Sequence, residues 1–441
     1  MRSQGGTVDP HQHRPALARR LRIPGGRDGH RMLLVAFIDK TGTGLWATAL
    51  PLYFTQVTAM TLAQVGLLIG LSGAIGIAGA PLAGRLADRF PVTRILICAQ
   101  LLRAAALLAL LTTHDFTLLL LYSAIGALPD RASNVLTKLY AARVAGPRRV
   151  RYQAFNRTVS NLGWAVGGLG AAAALALATT TAYQTLLIAN ALSYAVIAAL
   201  TLRCAEPPSP SRIATGSTTS PAAPATPTPP TKPSSPWRDR PFLLFTATEA
   251  VLYLDDAILQ VGMPLWIVHA TDAPLGLAPL LLVLNSLLVV LFQVPLARFG
   301  ATPTAARTLL TPLACLFLTG CLAMAASAAG DRWTAVAALT TAAVALTFAE
   351  MIHATASWEL SVALAPTVAQ GAYLGVHGLA ASTQRSAGPL LVTAVIAAGP
   401  LAWPLLGAGF AATCLAQRRL VRRRLPHPPL SVPPVTVSEH Q

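Results

Sequence analysis

Gly84-Arg85-Leu86-Ala87-Asp88-Arg89-Phe90-Pro91-Val92-Thr93-Arg94 is a short charged stretch between two long apolar runs, Leu62–Ala83 and Thr93–Leu111. Each run is about 20 residues, the length a helix rising ~1.5 Å per residue needs to cross a hydrocarbon core of ~30 Å. A link this short makes the two helices antiparallel neighbours. Its arginines, Arg85, Arg89 and Arg94, belong on the cytoplasmic face, because positive charge near helix ends favours that side.

The rest of the chain has the same character. Its 441 residues are 54% hydrophobic and 11% charged, with a mean hydropathy of +0.56. A soluble domain carries about 25% charge, so the composition is that of a polytopic membrane protein. The formal charge of +17 is concentrated at span ends. Arg2, Arg14, Arg19, Arg20, Arg22, Arg27 and Arg31 precede the first apolar run, and Arg418, Arg419, Arg422, Arg423 and Arg424 follow the last. These clusters lack the aromatic interleaving of a nucleic-acid surface, which argues against a nucleic-acid partner and for topology determinants that also favour anionic lipid headgroups. The five cysteines show no CxxC spacing, so neither a disulfide framework nor a metal site is expected. No apolar h-region occurs in the first 30 residues, so no cleavable signal peptide is expected. Residues 1–31 read as a basic cytoplasmic tail, either a disordered extension or residues ahead of the true start.

Twelve apolar runs can be placed at about 33–55, 62–83, 93–112, 117–142, 153–178, 183–203, 241–268, 275–297, 307–329, 333–356, 371–398 and 401–417. Their length makes them helices, since a membrane strand needs only about 10 residues. Odd-numbered loops carry a single basic residue, Arg332, whereas the even-numbered ones hold most of the loop arginines. Both termini are therefore expected in the cytoplasm, with the chain in the plasma (inner) membrane. A Pro/Ser/Thr-rich segment within residues 205–240 reads as a flexible cytoplasmic linker between an N-terminal six-helix bundle, 32–204, and a C-terminal one, 241–417; residues 418–441 form a basic tail. The halves look like a repeat. Pro51-Leu52 recurs as Pro264-Leu265, Arg85 as Arg298 and Arg94 as Arg307 at one offset, although Ala301 stands where Asp88 does. Parallel repeats of this kind place a binding site between the halves near the bilayer midplane. Glycines also recur, as Gly163, Gly167 and Gly170 in the fifth run and Gly371, Gly375 and Gly378 in the eleventh. They serve either static close packing or smooth faces across which the halves rock.

The opening stretch resembles the loop signature of the major facilitator superfamily, Gly-x-Leu-Ala-Asp-Arg-x-Gly-Arg-Arg, between its second and third helices. Gly84, Leu86, Ala87, Asp88 and Arg89 match; Pro91 replaces the second glycine, and Arg94 follows Val92 and Thr93. Asn161-Leu162-Gly163-x-x-x-Gly167-Gly168 resembles the fifth-helix antiporter motif of exporters, with Gly167-Gly168 where that motif has Gly-Pro; Gly388-Pro389 stands in the eleventh run. The nearest likeness is to the drug:proton antiporter branch. The resemblance implies an all-α fold of twelve transmembrane helices in two six-helix repeats. It implies alternating access driven by protons, with a small amphiphilic or hydrophobic compound leaving the cell. It further implies that Asp88 locks one conformation by pairing with an arginine and the N-terminal end of the eleventh helix; a solvated aspartate capping the third helix is the other reading.

The residues themselves point the same way through charges placed in the wrong solvent. An ionisable side chain at the centre of an inserting helix costs ~2.5–3.5 kcal/mol, so those retained face a partner or a wet cavity. Asp39 lies in the first run beside Lys40, Asp130 and Arg131 in the fourth, Asp255 and Asp256 in the seventh, Glu350 in the tenth with His353 one turn on, and Arg385 in the eleventh; Arg103 and Glu249 lie in the third and seventh. Neighbouring residues on a helix point about 100° apart, so one of Asp255 and Asp256 needs a cation from another helix or a proton. Static salt bridges explain any one of these residues, but the set suggests that Asp39, Asp255, Asp256 and Glu350 include proton carriers, with Asp130, Arg131 and Arg385 lining or gating the cavity.

No metal-ligand spacing and no Walker loop appears, so neither a metal, a cofactor nor ATP-driven transport is expected, and no enzymatic nucleophile is indicated. The expected partners are a small-molecule substrate, protons and the lipid bilayer, with the chain a monomer. A proton-coupled nutrient importer on the same fold and a non-transporting receptor or scaffold are the alternatives.

Overall fold

The computed structural model describes residues 23–175, 179–209, 235–274 and 276–424, and the statements below concern those residues. Most of the expected 1–31 tail, the heart of the 205–240 linker and the end of the 418–441 tail lie outside them.

The described residues are helical, without strands, and form twelve long segments. They are α1 (Gly26–Leu52), α2 (Gln64–Arg89), α3 (Val92–Thr112), α4 (Phe116–Ala145), α5 (Arg149–Leu175) and α6 (Thr180–Leu202). Then follow α7 (Arg240–Ala270), α8 (Leu277–Gly300), α9 (Pro303–Ala326), α10 (Arg332–Ala363), α11 (Gln370–Ala397) and α12 (Ala402–Arg424). Several extend beyond the apolar runs, because hydropathy marks only the part inside hydrocarbon. Seven, α2, α3 and α6 to α10, are long and apolar enough to cross a membrane by composition alone. The other five include α1 with Asp39 and Lys40, α4 with Asp130, Arg131 and Lys138, and α11 with Arg385.

Helix starts are written in the sequence. Thr61 and Gln64 make a reciprocal capping box, Asp115 caps α4 through the Leu118 amide at 3.0 Å, and Asp331 caps α10 through Thr334 at 3.0 Å. Two π turns interrupt the helices, and a proline accounts for the second. A π turn, Tyr53–Val57, follows Pro51 at the end of α1, and another, Ile258–Gly262, precedes Pro264 within α7. Pro264 has no N–H and its ring crowds the carbonyl four residues back, and a wider turn relieves both. The repeated Pro-Leu pair thus sits beside a π turn in each half.

The opening stretch is less of a hinge than its charge suggests. Helix continues through Arg89, with Ala83, Gly84 and Ala87 buried and Arg85, Arg89 and Arg94 exposed, so only Phe90 and Pro91 break it. The three- and four-residue spacing of the small residues puts them on one helix face and allows the helix to persist.

The chain divides into two compact units: Met1–Pro221 with Leu288–Arg298, and Ala222–Leu287 with Phe299–Gln441. In the first, α1 and α5 pack backbone to backbone. A Cβ on Gly163 would lie 2.6 Å from the Phe37 carbonyl oxygen, one on Gly44 2.6 Å from that of Trp164, and one on Gly167 would overlap that of Thr41. Gly168 has nothing near it. In the second, Gly388 on α11 faces Ala257 of α7, at 3.0 Å from an added Cβ, and Pro389 lies within α11.

Candidate functional site: two buried charge clusters

Each unit encloses one polar cluster. In the first, the hub is Arg103 of α3, whose side chain is 5% exposed. One guanidinium nitrogen meets Asp39 Oδ1 of α1 at 2.7 Å and Gln100 Oε1 at 3.1 Å. The other meets Asp130 Oδ1 of α4 at 2.9 Å and the Tyr194 hydroxyl of α6 at 3.0 Å. The Tyr194 ring lies under the guanidinium at 4.0 Å, adding a cation–π contact. Lys40 Nζ reaches the second Asp39 oxygen at 3.2 Å. A guanidinium with five donors in a rigid fork can serve four helices at once, and it does not give up its proton. This cluster fixes charge in place.

The second cluster is built on Glu249 of α7, 1% exposed. Gln417 of α12 donates to its Oε1 at 2.5 Å, and the Ser357 hydroxyl of α10 donates to Oε2. The Nε2 atoms of His353 (α10) and His377 (α11) lie 3.4 and 3.5 Å from that same Oε2. His353 Nδ1 lies 3.2 Å from Asp255 Oδ2 of α7, so one imidazole stands between two carboxylates. The Tyr253 hydroxyl is 3.3 Å from Ser357 Oγ and its ring meets His353 edge-on, while Phe245 stacks on His377. Every basic side chain named in this cluster is an imidazole, which, unlike a guanidinium, can give up its proton.

The other residues singled out from sequence fall around these clusters. Asp255 and Asp256 part as their 100° offset requires: Asp255 turns to His353, and Asp256 accepts from Gln260 at 2.5 Å. Glu350 accepts from Asn285 of α8 at 2.9 Å. Arg131 neighbours Asp130 on α4, and Arg385 lies on an exposed face of α11. Gly84 is buried and Asp88 half-buried in the last turns of α2, with Arg89 and Arg94 outward. Sequence reasoning noticed Arg103, Glu249 and His353 without ranking them as hubs. It passed over His377, Gln417, Tyr194 and Ser357. A histidine inside an apolar run, as His377 is, was the available signal.

Charged groups buried in the interiors of helical bundles define the class: a multi-pass membrane transporter. The family profile described as Major Facilitator Superfamily matches residues 32–389, and the chain belongs to that superfamily, whose members are transporters rather than enzymes. Solved structures share the fold at low identity. A bacterial homologue of the iron transporter ferroportin, in an outward-facing state with soaked iron, aligns with TM-score 0.66 and 13% identity over 90% of this chain and 98% of its own. The proton:xylose symporter XylE bound to 6-bromo-6-deoxy-D-glucose gives 0.65 and 14%, over 89% and 96%. The human organic anion transporter MFSD10 gives 0.61 and 14%, over 91% of this chain. No curated protein sequence matches this chain.

Proposed function

We propose that this secondary transporter is a proton-coupled exporter of a small amphiphilic or hydrophobic compound, working by alternating access in the plasma membrane with both termini cytoplasmic. The observation that carries proton coupling is the second cluster: Glu249, Asp255, His353 and His377 are all buried and face one another, with Tyr253 and Ser357 at their edge. A carboxylate–imidazole–carboxylate arrangement holds a proton in more than one place at small cost, which a carrier that must load and unload requires. The Arg103 cluster, whose guanidinium keeps its proton, serves as the rigid counterpart. Export is supported by the fifth-helix motif around Asn161–Gly168, and cytoplasmic termini by the arginines of the even-numbered loops. A second reading, proton symport of a nutrient, is favoured by the likeness in fold to a proton:xylose symporter.

Flux direction separates the two. In cells with and without the protein, a panel of amphiphilic compounds should accumulate less when it is present, and an uncoupler should abolish the difference. Uncoupler-sensitive accumulation of a polar nutrient would replace export with import. No compound moving under any gradient would leave a receptor or scaffold.

A further inference from the structure

The first turn of α3 has an unusual cap. Helix N-termini leave N–H groups without intrahelical partners, and a side-chain oxygen on the preceding residue ordinarily takes them. Here that residue is Pro91, which has none and makes no side-chain cap bond. The carboxylate of Glu206, more than a hundred residues further along the chain, supplies it. Its Oε1 accepts from the Val92 amide at 2.9 Å, and its Oε2 accepts from the Thr93 amide at 2.9 Å and the Thr93 hydroxyl at 2.7 Å.

Glu206 is itself held. Arg31 of α1 donates to the Arg203 carbonyl at 2.5 Å and pairs with Asp28 at 3.0 Å. The Ala205 amide reaches Asp28 Oδ2 at 3.4 Å, and the Tyr140 hydroxyl of α4 donates to the Ala205 carbonyl at 2.8 Å. Residues 203–206 are thereby laced to α1, α3 and α4. The second unit closes its side of the linker with another acid. Asp239 caps α7 through the Phe242 amide at 3.1 Å, and its other oxygen accepts from Tyr373 of α11 at 3.0 Å and from Arg424 of α12.

We propose that Glu206 is a positioning residue for the Gly84–Arg94 stretch: an anion delivered by the chain leaving α6 that fixes the start of α3 where Pro91 cannot. Because Val92 follows Pro91 directly, holding the first turn of α3 sets where the arginine-flanked turn leaves α2. Negative charge at a helix N-terminus is favourable, so the carboxylate does more than a neutral acceptor would. Asp239 plays the matching part for α7, through the Phe242 amide, Tyr373 and Arg424.

Hydrogen exchange of the full chain in lipid nanodiscs tests this without knowledge of the substrate. Glu206→Gln should speed exchange in the peptide covering 90–97 about tenfold or more, leaving peptides from α5 and from α7 to α12 at wild-type rates. Glu206→Asp, which keeps the charge on a shorter arm, should recover most of the protection. Thr93→Val, which removes one of three bonds, should have a smaller effect that does not add to that of Glu206→Gln. Asp239→Asn should leave the 90–97 peptide unchanged. Wild-type exchange at 90–97 in Glu206→Gln would overturn the proposal, as would loss of protection spread over every helix of the first unit with no recovery in Glu206→Asp.

Discussion

The two buried clusters use the same acids and opposite bases. Around Arg103, Asp39 and Asp130 meet a guanidinium and an ammonium. Around Glu249, Asp255 and its neighbours meet two imidazoles. Arginine stays charged at any accessible pH, so the base of the first cluster cannot release a proton, whereas the imidazoles of the second can. Coulomb attraction favours both; the chemistry of the base decides which can carry a proton. On the proposed function, that difference makes one cluster the scaffold and the other the site of coupling.

Breaking the fixed cluster should have the largest effect on stability. Arg103→Met leaves Asp39 and Asp130 without the guanidinium. Because Asp39 keeps Lys40 and Asp130 is 36% exposed, the loss should fall at the lower end of the about 3–5 kcal/mol that breaking a buried ion pair costs. Thermal melting in detergent should show a large drop, and adding Asp39→Asn and Asp130→Asn should restore much of it. A single variant that melts like the wild type would mean that Arg103 is not the hub.

The frame around that cluster gives the next effect. A methyl group on Gly167 would collide with the Thr41 carbonyl of α1, the helix that carries Asp39, whereas Gly168 has open space. Gly167→Ala should cost about 1–3 kcal/mol, as overpacking generally does, and Gly168→Ala close to nothing. Equal melting of the two variants would contradict the close α1–α5 approach.

The smallest effect lies outside the membrane. Burial pushes the Asp239 carboxyl up, but the hydrogen bonds from Arg424, the Phe242 amide and Tyr373 outweigh it and hold the group below the usual aspartate range. A depressed carboxylate contributes stability that is complete above its unfolded value, about 3.9, and is lost as pH falls through the lower folded value. The melting difference between wild type and Asp239→Asn should therefore persist from pH 7 to about 4 and close only below that. A difference that closed between pH 7 and 5 would contradict it.

Much of the fold is legible in the sequence because membrane thickness imposes a length that apolar runs must meet. The runs around Leu62–Ala83 and Thr93–Leu111 show this, and so does the loop signature between them. The ionisable residues were visible too, since each is costly in hydrocarbon. What could not be read is pairing. Whether Asp39 meets Lys40 or Arg103 depends on how α1 and α3 are rotated, and no spacing along one helix reports that. Glu206 was hidden for the same reason: it reads as linker, and only the fold brings it to Val92 and Thr93. His377 and Gln417 acquire meaning only once α11 and α12 lie against α7.

The most direct test of the division between scaffold and coupling is proton movement in proteoliposomes loaded with a pH-sensitive dye, using a compound that the panel identifies as moved. Wild-type vesicles should show proton flux opposite in direction to the compound's. Glu249→Gln, which keeps the shape of the cluster and removes its central charge, should exchange the compound down its own gradient with no proton flux. Full proton coupling in Glu249→Gln and in His353→Gln alike would contradict the assignment of coupling to this cluster.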